Sequence, residues 1–541
     1  MYLQPLSDIH LNTSIENDLK SPNDPKYLWI FGSIAILIII IAAVNFMNLS
    51  TAQAVRRAKE VGIKKVCGST QSKLMMQFLS ETFILSLFAL VLAILITEVT
   101  LPYFNNLLNL NLSVGYLEHW YTIPALVIFC IVIGFLAGTY PAFYLSSFNP
   151  YKVLKGDLRS GKKNGSLRRV LVVVQFAISI ILIVGTIIMF RQLSYMQNKK
   201  LGFDKEEIFV ISSASTLGKK VISFKDELLK IKGVLSVSSS TAIPGRNNNN
   251  NGYVIKGRDE ESFLLQTSWA DKDFLETYGM ILESGRFFDE GNTSEDQGCI
   301  VNQAAVKSYF PDDPFAARFL IGDDDSDERT SMPVIGIVED FHHESLRNPI
   351  TPYIIRFKEE GFNWGYVSIR LAPNSDSETI KEIEETWASF TEDTPIQSYF
   401  LDKAVERMYR EEKQNGQLSI LFTIIGIIIA ALGLYGLTSF AVAQRTKEIG
   451  IRKTFGASIG NIWFLIAREI IILVVIATVI AVPLIWWVAD NWLQNYYYRI
   501  NIEITDFVYG FLIAIIIALI TISYRTIRSA LANPTDSLRY E

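Results

Sequence analysis

Arg57-Ala58-Lys59-Glu60-Val61-Gly62-Ile63-Lys64-Lys65-Val66-Cys67-Gly68-Ser69 joins two apolar runs, residues 28–49 and 74–96. The pattern returns as Arg445-Thr446-Lys447-Glu448-Ile449-Gly450-Ile451-Arg452-Lys453-Thr454-Phe455-Gly456-Ala457, every position shifted by 388 and again between two apolar runs. A helix needs roughly 20 residues to cross about 30 Å of hydrocarbon. Backbone groups find no water there, so spanning runs satisfy themselves as helices. A charged stretch repeated between such runs marks a membrane protein of two similar halves, each with the same handle.

Seven runs have the length to span: 28–49, 74–96, 123–145, 170–190, 418–442, 462–488 and 507–523, the last short and open to extension by a turn. Half of the 541 residues are hydrophobic and the mean hydropathy is +0.25, yet 19% are charged. Membrane helices plus a water-exposed domain fit both numbers. The expected fold class is an α-helical membrane protein of about seven transmembrane helices with one α/β extracytoplasmic domain. The net charge of −5 gives no reason to expect nucleic acid as a partner. The first run is too long for the apolar region of a signal peptide. Cys67, Cys130 and Cys299 fall at three levels across the bilayer, so no intrachain disulfide is expected.

Lys and Arg crowd alternate short loops. Loop 50–73 carries Arg56, Arg57, Lys59, Lys64, Lys65 and Lys73, and loop 146–169 carries Lys152, Lys155, Arg159, Lys162, Lys163, Arg168 and Arg169. Loop 443–461 carries Arg445, Lys447, Arg452 and Lys453, and the tail Arg525, Arg528 and Arg539. Loop 101–122 has none and loop 489–506 only Arg499. The positive-inside rule places the basic loops in the cytoplasm, and 191–417 with 1–27 outside. Trp29, Trp120, Tyr121, Trp486, Trp487 and Trp492 sit at run ends, as an interfacial aromatic belt requires.

The outer region 191–417 reads as α/β. Tyr366–Leu371 alternates Val367, Ile369 and Leu371 with Tyr366, Ser368 and Arg370, the pattern of a half-buried strand. Ser375-Asp376-Ser377-Glu378 is a capping box, with Ile380, Ile383 and Trp387 following at helical spacing. Residues 395–400 return as a strand and complete a β-α-β unit. An earlier unit has a strand at 207–212, a helix through Val221, Phe224, Leu228 and Ile231, and a strand at 234–239. Residues 332–338 and 353–357 are further strands. The polar tract 247–251 marks an outer loop.

No residue set here carries chemistry. His342-His343 lacks a Cys or a spaced His to complete a zinc set, so no metal site is expected. No catalytic triad has recognisable local context, and no G-x-x-x-x-G-K-[ST] occurs, so this chain has no P-loop. The handles remain. Topology explains their basic residues but not Glu60 and Glu448 at matching positions, nor Gly62/Gly450 and Gly68/Gly456. Glycines at fixed offsets indicate tight turns or close backbone approach. Val61 and Ile63, with Ile449 and Ile451, add apolar contact points. The reading is a short docking element with apolar knobs, charged edges and glycine-defined bends.

The pattern Arg-x-Lys-Glu-[Ile/Val]-Gly-Ile-[Lys/Arg]-Lys-x-x-Gly-[Ala/Ser] resembles the signature of FtsX-like permeases of ABC transporters, especially the MacB type. Gly285-Arg286-Phe287 and Val334-Ile335-Gly336-Ile337-Val338 are similar to stretches of the MacB-like periplasmic core domain. The resemblance implies a non-enzymatic permease subunit of the cell inner membrane, driven by a separate MacB- or LolD-like ATPase that binds the ATP and Mg. On this resemblance the chain itself is expected to bind no cofactor. A periplasmic adaptor is a further candidate partner, and lipid surrounds the helices. ATPase coupling then falls to Arg57, Lys59, Glu60, Gly62, Lys64, Lys65 and Gly68, and to Arg445, Lys447, Glu448, Gly450, Arg452, Lys453 and Gly456. Family members of this kind transmit motion to periplasmic partners or substrates.

On this resemblance the domains are two FtsX-like three-helix units (28–148 and 418–530), a cytoplasmic linker (149–169), a leading helix (170–190), a MacB-like core domain (191–417) and a cytoplasmic tail (531–541). Each half ends in Asn-Pro, at Asn149-Pro150 and Asn533-Pro534, a start signal for a short helix. The first half lacks a leading helix and an outer domain. Tyr2-Leu3-Gln4-Pro5-Leu6 resembles Tyr399-Phe400-Leu401-Asp402-Lys403, so residues 1–27 read as the remnant of a first outer domain and the chain as N-terminally truncated.

Glu81 and Glu469 also stand 388 apart, about two turns into their helices. Carboxylates near hydrocarbon are costly. Either they reach the cytoplasmic headgroups, or they contact basic residues of the coupling element and stiffen the lever. Beside transport, two other functions fit: mechanical activation of a periplasmic hydrolase or sensor, and a receptor with no ATPase.

Overall fold

The structure, a computed structural model, describes residues 25–531 apart from 109, 117, 147–161, 246–248, 259, 289–297, 322–329, 359–364, 374, 376, 392, 393 and 445. Residues 1–24, both Asn-Pro pairs and part of the 247–251 tract therefore lie outside the described residues, as do Asp376 of the capping box and Arg445. The chain divides into two compact units. One comprises Met1–Arg191, Gln414–Trp492 and Asn501–Glu541; the other comprises Gln192–Lys413 and Leu493–Ile500.

The first unit is helical: α1 (Pro25–Val66), α2 (Gln71–Leu108), α3 (Thr122–Ser146), α4 (Lys162–Asn198), α10 (Arg410–Gln444), α11 (Thr446–Thr454), α12 (Ile459–Leu493) and α13 (Ile504–Leu531). Seven of these are long and apolar enough to cross a membrane. The short last run of the sequence becomes a span of Ile504–Tyr524. Apolar side chains such as Ile84, Phe88, Phe135, Ile480 and Ile520 face outward, as a lipid solvent requires. The most apolar part of α4 is 61% buried, against 33% or less for every other span, so α4 is the central helix. It carries polar residues inward. Gln175 Nε2 donates to the Ala430 carbonyl at 2.7 Å, and the hydroxyls of Thr186 and Thr423 lie 2.7 Å apart. Arg191, near the end of α4, places Nη1 2.6 Å from Asp506 Oδ1 and 2.5 Å from Oδ2, and Nη2 2.8 Å from Glu503.

Among the described residues the second unit holds eleven strands in the order β11-β1-β10-β2-β4-β3-β7-β8-β6-β9, with β5 beside β8. The strands are β1 (Ile208–Ile211), β2 (Val234–Ser240), β3 (Asn250–Ile255), β4 (Ser262–Ala270), β5 (Leu282–Gly285), β6 (Cys299–Asn302), β7 (Arg318–Ile321), β8 (Thr330–Val338), β9 (Tyr353–Phe357), β10 (Tyr366–Leu371) and β11 (Ser398–Phe400). Two folds share this set. Strands β11, β1, β10 and β2 form an antiparallel sheet covered by α5 (Val221–Leu228) and α8 (Ser377–Phe390), around Phe224, Val237, Val367, Ile383 and Trp387. The two β-α-β units are thus split and interleaved: β10 lies between β1 and β2, and β1 between β10 and β11.

The other fold was not legible. Strand β9 pairs β4 in parallel, which closes β4-β3-β7-β8-β6-β9 into a ring around Leu265, Val301, Phe319 and Ile354. Asp271, just after β4, joins the two folds. It accepts from Ser238 Oγ at 2.8 Å and from Ser239 N at 2.7 Å, and it pairs with the buried Lys225 of α5. Strand β10 is also a correction. It is buried on both faces except at Arg370, because Ser368 is satisfied by the Tyr278 hydroxyl at 2.6 Å. His342 and His343 are both buried and packed. His343 Nε2 lies 3.0 Å from Thr351 Oγ1, and the His342 ring meets Tyr498 edge-on at 4.8 Å.

Candidate functional site

Helix α1 does not stop where the apolar run stops. It continues through the first charged stretch to Val66, so that stretch is the last three turns of a 42-residue helix. Gly68 ends it at φ 92°, with Ser69 N bonding the Lys64 carbonyl at 2.9 Å and Gly68 N the Lys65 carbonyl at 3.0 Å. This is a Schellman cap, in which only glycine adopts the left-handed turn cheaply. The second copy repeats it. Gly456 has φ 85°, and Ala457 N bonds the Arg452 carbonyl at 3.0 Å. A Cβ at either glycine would meet nothing within 4 Å, so the dihedral alone demands the residue.

Gly62 and Gly450 do something else. Both lie inside helices, and Gly62 is buried. The reading of tight turns or close backbone approach divides between them: Gly68 and Gly456 end the helices in turns, and Gly62 and Gly450 lie within them.

The apolar knobs also divide. Val61 is buried against Leu74, Phe78 and Ala142. Ile449, Ile462 and Ile466, offset from Val61, Leu74 and Phe78 by the same 388, are likewise buried. Ile63 and Ile451 face outward at 49% and 43% exposure, and Phe455 beside the second cap is 87% exposed. Each helix end is therefore anchored by one apolar residue and presents another.

Charge follows the same scheme. Glu60 pairs with Lys64 at 2.9 Å and Glu448 with Arg452 at 2.7 Å, both at i,i+4 with the acid N-terminal. That order suits the helix dipole. Lys64 beside Glu60 is the main reason its carboxyl is held below the usual range, with Arg57 adding to it. Arg57 reaches across to α2. Its Nη1 is 2.7 Å from Glu81 Oε2 and its Nη2 3.2 Å from Oε1, a two-pronged contact with planar complementarity. Gln77 Nε2 adds a bond to Glu81 at 3.1 Å, Lys64 reaches Gln77 Oε1 at 3.2 Å, and the Arg57 guanidinium lies 5.0 Å over the Phe78 ring. Gln77 and Phe78 were not singled out from sequence. The signal was there: both lie one turn before Glu81, on the side that meets α1. Glu469 of α12 is engaged as well. Lys65 is half-buried at the end of α1. The side chains of Lys59, Lys447 and Lys453, and all of Arg445, lie outside the described residues.

Two matching capped helix ends below a helical membrane unit, with a stranded domain inserted in the second half, define a multi-pass membrane protein with duplicated handles. Comparison with known proteins gives the family. The FtsX-like permease C-terminal model matches residues 32–150 and 420–534, and the MacB-like periplasmic core domain model matches 170–386. The chain belongs to the FtsX-like ABC transporter permeases of the MacB type. It is similar to the macrolide export ATP-binding/permease protein MacB of Neisseria meningitidis, 23% identical over 39% of this chain and 34% of the relative. It is also similar to an uncharacterized ABC transporter permease, YknZ, of Bacillus subtilis, 27% identical over 23% of this chain and 31% of that one. The matched region thus spans about a third of the length of these relatives. Among solved structures, the periplasmic region of MacB from Actinobacillus actinomycetemcomitans aligns at 16% identity and TM-score 0.28, covering 38% of this chain and 94% of that one.

Proposed function

We propose that this chain is the membrane subunit of an ABC transporter of the inner membrane, driven through its two charged helix ends by a separate ATPase. The observation that carries the reading is the matched pair of ends. Each has a Schellman cap, an i,i+4 acid–base pair, one anchored apolar residue and one exposed isoleucine, Ile63 or Ile451. A lipid-embedded lever needs no such exposed apolar tip, whereas a docking protein gives it a place. The Arg57–Glu81 contact ties the first end to α2, so a push on it moves two helices together. The ATP and Mg belong to the partner.

A second reading, mechanical activation of a periplasmic partner without solute transport, draws on one further observation. Residues Leu493–Ile500, between α12 and α13, belong to the stranded unit. Gln192 bonds Tyr498 O and Ile500 N, each at 3.0 Å, and Tyr497 N bonds Arg347 O at 3.0 Å. A chain that runs from two spans into that unit would carry motion to it whether or not anything is transported.

The test is purification of the tagged protein from its own host with an assay of ATP hydrolysis in the eluate. ATPase activity is expected to co-elute with the unsubstituted chain and to be lost with Ile63→Asp plus Ile451→Asp. Both positions are exposed, so the fold survives the change. Co-elution unaffected by the double variant, or no ATPase with either protein, overturns the reading.

A further inference from the structure

A cavity of about 670 Å³ lies between the last turns of α4, the loop that follows it, and α9 (Leu401–Met408) with the start of α10. Its whole lining belongs to the stranded unit. The volume is within the range, roughly 300–1,000 Å³, that encloses a molecule of a few tens of atoms. Part of the lining is apolar: Met196, Leu201, Val405 and Tyr409 are buried and Phe400 half-buried. The rest carries charge of both signs.

Much of that charge is already matched. On the α9 side Glu406 pairs with Lys413 at 2.7 Å, which holds its carboxyl below the usual range, and Asp402 has Lys403 at 3.9 Å. On the facing loop Lys205, Glu206 and Glu207 have no ion-pair partner among the described residues. The Lys205 ammonium has only the Gln197 carbonyl, at 3.5 Å. Glu207 is also held at φ 57°, a left-handed conformation that a glutamate adopts rarely, with its carbonyl accepting from Leu371 N at 2.8 Å. One free ammonium and two free carboxylates, on three consecutive residues, thus border an apolar surface.

Depth in the membrane narrows the occupant. Met196 is six residues past the apolar run 170–190, and Lys413 five before the run 418–442. At 1.5 Å per helical residue, both stand about 8–9 Å beyond the hydrocarbon. The headgroup layer is roughly 5–8 Å deep on each side. The cavity therefore begins where lipid headgroups end. A ligand that suits it has an apolar part, an anionic group for Lys205 and a cationic one for Glu206 and Glu207. An anionic lipid would meet two carboxylates and one ammonium, a net repulsion. Between zwitterionic headgroups, a primary ammonium donates hydrogen bonds to carboxylates and a quaternary one does not.

We propose that this cavity binds one outer-leaflet phospholipid with an ethanolamine headgroup. Lys205 takes the phosphate, Glu206 and Glu207 take the ammonium, and Met196, Leu201 and Val405 cover the first carbons of the chains. The bound lipid ties the outer ends of α4 and α10 to the surface of the bilayer.

Native mass spectrometry of the full chain tests this, after delipidation in detergent and separate titration with phosphatidylethanolamine, phosphatidylcholine and phosphatidylglycerol. Phosphatidylethanolamine should be retained about fivefold better than either of the others. Glu206→Gln with Glu207→Asn should abolish that preference. Both glutamates are exposed, and asparagine suits the left-handed φ at 207, so the fold is kept. Lys205→Gln should weaken retention of the two zwitterionic lipids alike, since both carry the phosphate. Soluble glycerophosphoethanolamine, at a concentration equal to that of the lipid, should not displace it. Equal retention of the three lipids, a preference unchanged in the double variant, no effect of Lys205→Gln, or displacement by the soluble headgroup overturns the proposal. No ATPase enters the measurement, so its failure is distinguishable from failure of the coupling assay.

Discussion

The two halves agree at their charged ends and part company at the other. At the charged ends the chain repeats itself down to the hydrogen bonds: the Ser69–Lys64 bond recurs as the Ala457–Arg452 bond, and the Glu60–Lys64 pair as Glu448–Arg452. At the opposite ends the second half has what the described first half lacks. Arg191 grips Asp506 and Glu503, and residues 493–500 are built into the stranded unit. The corresponding loop after α2 is tied back to its own helix, with Asn105 Nδ2 donating to Leu112 O at 2.9 Å and Asn105 Oδ1 accepting from Leu112 N at 3.0 Å. Tyr103, Leu112 and Trp120 around it are exposed. The lesson is that, among the described residues, the charged ends are duplicated and the opposite ends are not.

The sharpest way to break this comparison is Arg191→Met. Asp506 is 1% exposed, so losing its partner strands a buried charge, which costs about 3–5 kcal/mol. A large fall in the detergent melting temperature is expected. A fall under a degree would show that the outer clamp of the second half is dispensable.

Acid gives a smaller and more local effect. Burial, helped by the nearby Lys199 and His343, pushes the His342 imidazole down to about 4 from an ordinary value near 6.5. The folded site therefore favours the neutral ring, while the detached chain takes up the proton first. Stabilisation is complete above about pH 6.5 and is lost as pH falls through that value toward about 4. Hydrogen exchange should show 493–500 loosening over that window while the loop after α2 stays unchanged. Equal loosening of both loops, or the same response in His342→Phe, would remove His342 as the cause.

The smallest effect tests the agreement itself. Gly68→Ala and Gly456→Ala each force a Cβ into the left-handed turn, at about 1 kcal/mol. With open space around both positions, the two losses of stability should match within error. A difference several-fold in size would mean the two ends are not equivalent.

Legibility followed range. The spans could be read because a bilayer imposes a length on each run separately. The strand Tyr366–Leu371 was read to the residue from its alternation. Its two-sided burial was not, since Ser368 looks solvent-facing until Tyr278, 90 residues away, supplies its bond. The ring of six strands escaped notice because β4 and β9, which close it, lie far apart in the chain. The division of Val61 from Ile63 was hidden for a related reason. Both are apolar in sequence, and only the position of α2 and α3 decides which one is covered.

By itself, then, the sequence determined a two-half membrane protein with repeated charged handles and one stranded insertion. Those properties depend on local composition and on a solvent that accepts only self-satisfied helices. Tertiary structure alone decided that Arg57 finds Glu81, that Asn45 lies over Gly433, and that Leu493–Ile500 belongs to the stranded unit. Each of these needs two segments brought together in one register, which no window along a single chain contains.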